Sequence, residues 1–248
     1  MKERIITGIF LILVVFGVGY IDNYYLMWLF LGAIYIISIY ESLKLYKLSP
    51  NMNFFSIASI IWLSILFTDN SLNPILILGS IFLGLVAYRP NIKERLFLPF
   101  LYPTVPFLLI FEIYRDFGIS ILGWLIVVVA LTDTMAYFVG RTIGKRKFSP
   151  TSPKKTIEGV LGGVIFGTVG GMFLGEAISS FPTDSILILS FLVSIFSIFG
   201  DLFESYLKRK ANIKDSGNIL PGHGGILDRV DGYMLSVVVL FAILNWNI

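Results

Sequence analysis

Nine apolar segments divide the sequence, and they constrain its fold more than any other feature. They cover about 5–21, 25–43, 54–68, 74–88, 96–113, 119–139, 159–180, 185–204 and 232–246. About 20 apolar residues suffice for a helix to cross a bilayer, and three of the segments are shorter, at about 15. Only 14% of the residues are charged, against about 25% in soluble domains. The sequence therefore predicts an all-α, polytopic integral membrane helix bundle with about nine transmembrane helices.

The basic residues predict how this bundle is oriented. With the N-terminus in the cytoplasm, 18 of the 19 Lys and Arg residues fall on the cytoplasmic side, and Arg115 is the exception. Cytoplasmic loops of membrane proteins are enriched in Lys and Arg. We therefore expect a cytoplasmic N-terminus and a C-terminus outside.

The domain organisation is predicted to be a single membrane domain over residues 1–248. Residues 1–115 would supply N-terminal helices for packing and a dimer scaffold, and residues 116–248 the catalytic helices and cytoplasmic loops. The two longest connections, about 140–158 and 205–231, both fall on the cytoplasmic side. Loops of that length are usually functional. The sequence contains no cysteine, which excludes disulfides and thiolate chemistry.

Residues 201–231 concentrate acids, bases, glycines and the only histidine between two apolar segments. Burying such groups near lipid is costly unless they meet partners, a metal or a substrate. Asp133, Asp201 and Asp228 fall at one depth, near the predicted cytoplasmic face. Carboxylates of this kind suit Mg²⁺ together with substrate phosphates. The alternative for Asp133 is a capping role or an ion pair with Arg141 or Lys145.

The segment 221–225 predicts a glycine-rich turn whose amides reach phosphate oxygens without side-chain obstruction. His223 has no second His or Cys with which to bind zinc. In the other polar segment, Lys154 and Lys155 would neutralise phosphate charge, and Thr156 would cap the seventh helix. The alternative for these lysines is a positive-inside anchor. Glu41, in the second apolar segment, is expected to pair with Lys44.

Glycines recur every fourth residue in the seventh apolar segment, at Gly159, Gly163, Gly167, Gly171 and Gly175. Residues four apart share a helix face, and glycine permits close backbone approach. Two interpretations stay open: tight packing inside the bundle, or a dimer seam.

Four motifs resemble those of phosphatidate cytidylyltransferases, also called CDP-diacylglycerol synthases. The signature is Ser205-x-x-Lys208-Arg209, then Lys214-Asp215, then Pro221-x-His223-Gly224-Gly225-x-x-Asp228-Arg229-x-Asp231. Asp133-x-x-Ala136-Tyr137-Phe138-x-Gly140-Arg141-x-x-Gly144-Lys145 and Ser152-Pro153-Lys154-Lys155-Thr156-x-Glu158-Gly159 also resemble bacterial members, as does Gly200-Asp201-Leu202-x-Glu204-Ser205. The resemblance covers about residues 130–248, and the N-terminal half is similar only as a run of apolar spans.

The resemblance implies that phosphatidate and CTP become CDP-diacylglycerol and pyrophosphate, with Mg²⁺ required. It leaves open a second, monovalent cation such as K⁺. It further implies a homodimer in the bacterial inner membrane, with an active site facing the cytoplasm. No nucleic-acid partner is expected, since the aromatic residues suit packing and the membrane interface.

Roles for individual residues follow from the resemblance and from their charge. Asp201 and Asp228, with Asp133, would bind the metal. The predicted catalytic residues are Asp201, Asp228, Lys208, Arg209, Lys214, Asp215, Arg229 and Asp231. The predicted substrate-binding residues are Ser205, His223, Gly224, Gly225, Lys154, Lys155, Thr156 and Glu158.

Other classes of function are less consistent with this pattern. A transporter would carry its ion sites near the membrane midplane, whereas the acids here cluster toward one side. A CTP-dependent lipid kinase, or a cytidylyltransferase for another lipid acid, is a closer alternative. A kinase would release CDP, whereas a cytidylyltransferase releases pyrophosphate.

Overall fold

A computed structural model describes the backbone of residues 2–179 and 181–246, and the side chains from residue 6 onward within those ranges. The side chains of Lys2 and Arg4, part of the predicted cytoplasmic charge, lie outside this description. The described residues form α-helices and no β-strand. The helices are α1 (Lys2–Ile21), α2 (Tyr24–Leu45), α3 (Met52–Ser64), α4 (Asn73–Tyr88), α5 (Leu98–Leu101), α6 (Thr104–Ile143), α7 (Ile157–Ile178), α8 (Thr183–Ala211) and α9 (Leu227–Leu244).

The ends of these helices follow local sequence signals. Asn23 begins α2 by accepting hydrogen bonds from the amides of Tyr25 and Leu26, which is the capping role that Asn favours. The fifth and sixth apolar segments both contribute to α6, which Gly118 interrupts with φ 78° and ψ 179°. Glycine adopts such a positive φ without a steric penalty. The two apolar segments therefore correspond to two helices that meet at a kink at Gly118.

Helix length and hydropathy make this chain a membrane protein. Among the described residues, four helical stretches are long and apolar enough to cross a bilayer, namely Tyr24–Leu45, Glu94–Ile143, Ile157–Ile178 and Thr183–Ala211. Shorter apolar helices cover Ile6–Ile21, Met52–Phe67 and Asn73–Tyr88. The all-helical class is confirmed, whereas the count of nine spans and the orientation of the termini stay predictions.

The chain forms two compact units. The first unit comprises Met1–Glu112 and Lys210–Arg229, and the second comprises Ile113–Arg209 and Val230–Ile248. Residues 210–229 thus group with the N-terminal helices, whereas the single membrane domain with a functional division at residue 115 stays a prediction. Within the first unit, Trp62 stacks beside Trp28, and each indole N–H donates to the other residue's carbonyl at 3.2–3.3 Å.

The second unit contains the glycine ladder of α7. A Cβ atom on Gly163 would lie 2.7 Å from the Thr132 carbonyl oxygen of α6, and one on Gly171 would lie 2.8 Å from the Ser190 hydroxyl of α8. The Trp124 indole donates to the Gly171 carbonyl at 2.7 Å. All five ladder glycines are buried. The ladder thus packs inside its own unit, as the first of the two interpretations held.

Replacing Gly163 with alanine is expected to lower the thermal midpoint of the purified protein by about 3–10 °C. The added methyl group meets the α6 backbone, which cannot move aside cheaply. Gly84→Ala is the matched control, since nothing lies within 4 Å of the methyl group that it adds to α4. The control should be neutral or stabilising, because alanine favours helix by about 1 kcal/mol. Equal midpoints for the two variants in a thermal-shift assay would contradict the packing assigned to this ladder.

Candidate functional site

Residues 212–226 connect α8 to α9, and we call them the signature loop. Asn212, at φ 61°, ends α8 in the left-handed conformation, which Asn tolerates better than most residues. Within the loop, Leu220 and His223 form a turn through bonds from the His223 amide to the Leu220 carbonyl and from the Leu220 amide to the Gly224 carbonyl. Gly224 has φ 86°, and a Cβ there would lie 2.8 Å from Asp228 Oδ2. Glycine is required at this position for both reasons.

The Asp228 carboxylate organises the signature loop from the first turn of α9. Its Oδ2 accepts hydrogen bonds from the Ser216 amide at 2.9 Å, the Ser216 hydroxyl at 3.0 Å and the Gly225 amide at 2.8 Å. Three donors on one oxygen fix the plane of the carboxylate. The loop and the acid therefore hold each other in place.

A second carboxylate reaches the same loop from α2. Glu41 is fully buried. Its Oε1 accepts from the Ile226 amide at 3.1 Å, and its Oε2 accepts from the Leu227 amide at 2.8 Å and from the Ser216 hydroxyl at 3.1 Å. Lys44, the expected partner of Glu41, lies instead over the Tyr40 ring, 4.9 Å from its centroid.

The sequence pattern missed Glu41 as a site residue. The sequence did contain one signal: an acid inside an apolar segment indicates a functional site by default.

The remaining residues of the loop differ in exposure. His223 is half-buried, its ring lies near Gly8 of α1, and its Nδ1 has no hydrogen-bond partner among the described residues. Thr7 of the same helix donates to the Pro221 carbonyl at 3.3 Å. The side chains of Lys214, Asp215 and Arg229 are exposed to solvent. The glycine turn is thus supported on the α1 side, while the charged side chains stay accessible.

In the second unit, acids and lysines meet near the end of α8. Lys155 Nζ lies 2.6 Å from Asp201 Oδ2, and the Ser205 hydroxyl donates to Asp201 Oδ1 at 3.3 Å. One turn further along α8, Lys208 pairs with the fully buried Glu204 at 3.2 Å. This arrangement brings Lys155 from the loop before α7 to an acid of α8.

Asp231 of α9 belongs to the same cluster. It interacts electrostatically with Glu204, Asp201, Lys208 and Asp133. Within the second unit, Asp231 is therefore influenced by three other acids and one lysine. Arg209, next to this cluster, is exposed.

The loop that carries Lys155 is ordered by its own backbone. The Phe148 amide donates to the Lys155 carbonyl at 2.8 Å, and the Ile157 amide donates to the Arg146 carbonyl at 2.9 Å. Thr156 caps α7 by accepting from the Gly159 amide at 3.1 Å, as predicted. Lys154 is exposed.

Glu158 has a structural role in this loop. Its carboxylate accepts from the amides of Lys145 and Arg146 at 3.0 and 3.2 Å. It thereby ties the start of the loop to the first turn of α7. Whether it also binds substrate stays a prediction.

The carboxylates of this site suit a magnesium ion chemically, but the described residues do not form a preformed set of metal ligands. In the part of the chain that the structure describes, no group of three or more His, Cys, Asp or Glu side chains is arranged to hold a metal ion. Mg²⁺ commonly takes one or two protein carboxylates and completes its shell with water and substrate phosphates. Asp201, which bonds a lysine ammonium group, already attracts a cation. The predicted ligands Asp133, Asp201 and Asp228 therefore stay a prediction.

These features define a class of protein: a membrane-embedded, all-helical protein with an ordered glycine-rich loop and clustered acids and lysines suited to phosphate chemistry. Residues 2–246 match the model of the cytidylyltransferase family. The chain therefore belongs to this family of nucleotidyltransferases, which confirms the resemblance found in its sequence.

Individual relatives agree with the family assignment. Two proteins from Helicobacter pylori strains, both named phosphatidate cytidylyltransferase, are 42% and 41% identical to this chain over 243 residues, which are 98% of this chain and 91% of each relative. The protein of that name from Bacillus subtilis is 44% identical over 131 residues, which are 52% of this chain and 49% of the relative.

Proposed function

We propose that this enzyme transfers CMP from CTP to phosphatidate, giving CDP-diacylglycerol and pyrophosphate for phospholipid synthesis. The observation that carries the proposal is the signature loop, which is ordered around Asp228 in a chain whose relatives bear that activity in their names. A membrane protein with polar loops at its helix ends suits a lipid whose tails stay in the bilayer while its phosphate reacts.

The chemistry is a displacement at the α-phosphorus of CTP. A phosphate oxygen of phosphatidate, already anionic near pH 7, forms the new bond, and the bond from the α-phosphorus to the bridging oxygen breaks as pyrophosphate leaves. No strong base is needed, so catalysis consists mostly of positioning and charge neutralisation. Bound Mg²⁺ would supply neutralisation of phosphate charge, with Asp133, Asp201 and Asp228 as its predicted ligands.

The basic residues of the chain would share that neutralisation. Lys155 and Lys208 each already pair with an acid, so their ammonium groups have fixed positions. Such preorganised charges act strongly where water is excluded. Lys214, Arg209 and Arg229 are exposed and would meet CTP as it arrives. The contact of Gly224 and Gly225 with a phosphate group stays part of the proposal, although the Gly225 amide already donates to Asp228.

The setting of the enzyme forms part of the proposal. Bacterial relatives and the distribution of basic residues support nine spans in the inner membrane, with an active site facing the cytoplasm, where CTP is found. A homodimer is proposed from the resemblance alone.

The test is an assay of purified protein with dioleoyl phosphatidate, labelled CTP and Mg²⁺. We expect CDP-diacylglycerol and pyrophosphate to form in equal amounts, and to disappear when Mg²⁺ is chelated. Release of CDP with a phosphorylated lipid would overturn the proposal in favour of a lipid kinase. Absence of product from a folded protein, across a panel of lipid acids, would overturn it altogether.

A further inference from the structure

The buried carboxylate of Glu41 is the least explained charged group in the first unit. It lies in α2, an apolar helix, and its side chain is completely inaccessible. A buried carboxylate is costly unless donors replace its water. The donors found here come from the signature loop and from the start of α9, at sequence separations of 175 to 186 residues. A residue outside the recognised motifs is therefore bonded directly to the signature.

The hydrogen bonds of Glu41 have a specific geometry. The Ile226 amide immediately precedes α9 and the Leu227 amide begins it, where helix amides lack partners within the helix. A negative charge at that end also interacts favourably with the helix dipole. Glu41 thus caps α9 from another helix, through the two residues that directly precede Asp228.

Ser216 connects the two carboxylates. Its hydroxyl oxygen lies 3.1 Å from Glu41 Oε2 and 3.0 Å from Asp228 Oδ2. The single hydroxyl proton can point to either of these oxygens, while the Ser216 amide donates to Asp228. The next residue, Gly217, cannot be larger, since a Cβ there would lie 2.8 Å from Glu41 Cδ.

We infer that Glu41 is a positioning residue for the reaction, which holds Asp228 and the signature loop in their working geometry through Ser216 and the first turn of α9. This inference rests on the proposed function for its catalytic readout. Glu41 acts through the loop rather than on the substrates. Removal of a supporting partner of this kind typically lowers activity about 10- to 100-fold.

The principal variant is Glu41→Gln, which keeps the size of the side chain but replaces one acceptor oxygen with a donor NH₂ group. We expect kcat to fall about 10- to 100-fold, with a smaller change in KM for CTP. Glu41→Asp, which keeps the charge, should retain more activity than Glu41→Gln. The matched control is Glu112→Gln, a buried carboxylate of the same unit that accepts the Ser71 amide at 3.1 Å. It should leave kcat within about twofold, because the Ser71 amide that Glu112 accepts lies outside the signature loop and outside the predicted site.

A double-mutant cycle distinguishes positioning from general destabilisation. If Glu41 acts through Ser216, the kcat loss caused by Glu41→Gln should be much smaller in a Ser216→Ala background, since effects of coupled residues are not additive. If the kcat losses of the two single variants simply added in the double variant, the proposed action of Glu41 through Ser216 would be overturned. If Glu41→Gln does not fold, Gly217→Ala takes its place, because its methyl group displaces the Glu41 carboxylate while keeping its charge. Full activity of either folded variant would overturn the inference.

Hydrogen exchange in detergent separates this inference from the proposed function. Amides of residues 216 and 225–227 should exchange faster in Glu41→Gln than in wild type, while those of α7 stay unchanged. This readout needs no catalytic activity. If the wild-type protein made no CDP-diacylglycerol, the proposed function would fail, yet faster exchange would still establish the contact. Unchanged exchange at 225–227 would overturn the role of Glu41 even in an active enzyme.

Discussion

Asp228→Asn is expected to lower kcat for CDP-diacylglycerol formation by about 10³-fold, the scale seen when one preorganised electrostatic group is removed. Two effects combine in this variant. The negative charge proposed to bind Mg²⁺ is lost, and the new NH₂ group faces amides and a hydroxyl that need an acceptor. The measurement is product formation at saturating CTP and phosphatidate, with folding checked by thermal shift.

Asp184→Asn provides the matched control for this substitution. Asp184 is also an acid in the first turn of a long helix, α8, and it is exposed outside the signature. The control should keep activity within about twofold, as expected for a surface substitution. If Asp228→Asn kept more than a tenth of the wild-type kcat, Asp228 would not have the catalytic role assigned to it.

Asp201→Asn is expected to lower kcat to a similar extent, about 10³-fold, for a different structural reason. Asp201 holds the Lys155 ammonium group at 2.6 Å and belongs to the cluster that includes Asp231. The asparagine would release Lys155 from its position and remove a predicted metal ligand. A rise in the Mg²⁺ concentration needed for half-maximal activity should accompany any residual turnover.

Glu176→Gln is the control within the same unit, because Glu176 is an exposed acid of α7 outside the cluster. Lys155→Gln separates the two roles of Asp201. If Lys155 only neutralises Asp201, its loss should cost little activity, whereas a role at the phosphates predicts a loss of about 10²-fold. Wild-type turnover by Asp201→Asn would remove this acid from the proposed mechanism.

Much of the fold could be predicted because it depends on local properties of the chain. Apolar length marks where helices form, as in α2 and α7, and Asn23 and Thr156 mark where they begin. The break at Gly118 was visible only as a boundary between two apolar segments, since hydropathy does not tell a kink from a loop. The grouping of residues 210–229 with helices more than a hundred positions earlier does not follow from the apolar segments.

The site divides in the same way. Its main motif was recognisable from the sequence because Asp201, His223 and Asp228 all lie within one continuous stretch of the chain. By itself, the sequence determined a helical membrane protein of the cytidylyltransferase type and the residues of its signature.

Only the tertiary structure decided three contacts: Glu41 bonds the signature loop, Lys155 reaches Asp201, and the glycine ladder packs inside its own unit. Each of these contacts depends on which helix faces are buried together. Burial turns an ordinary carboxylate or glycine into a specific partner, because a buried charge needs donors and a close helix crossing needs space.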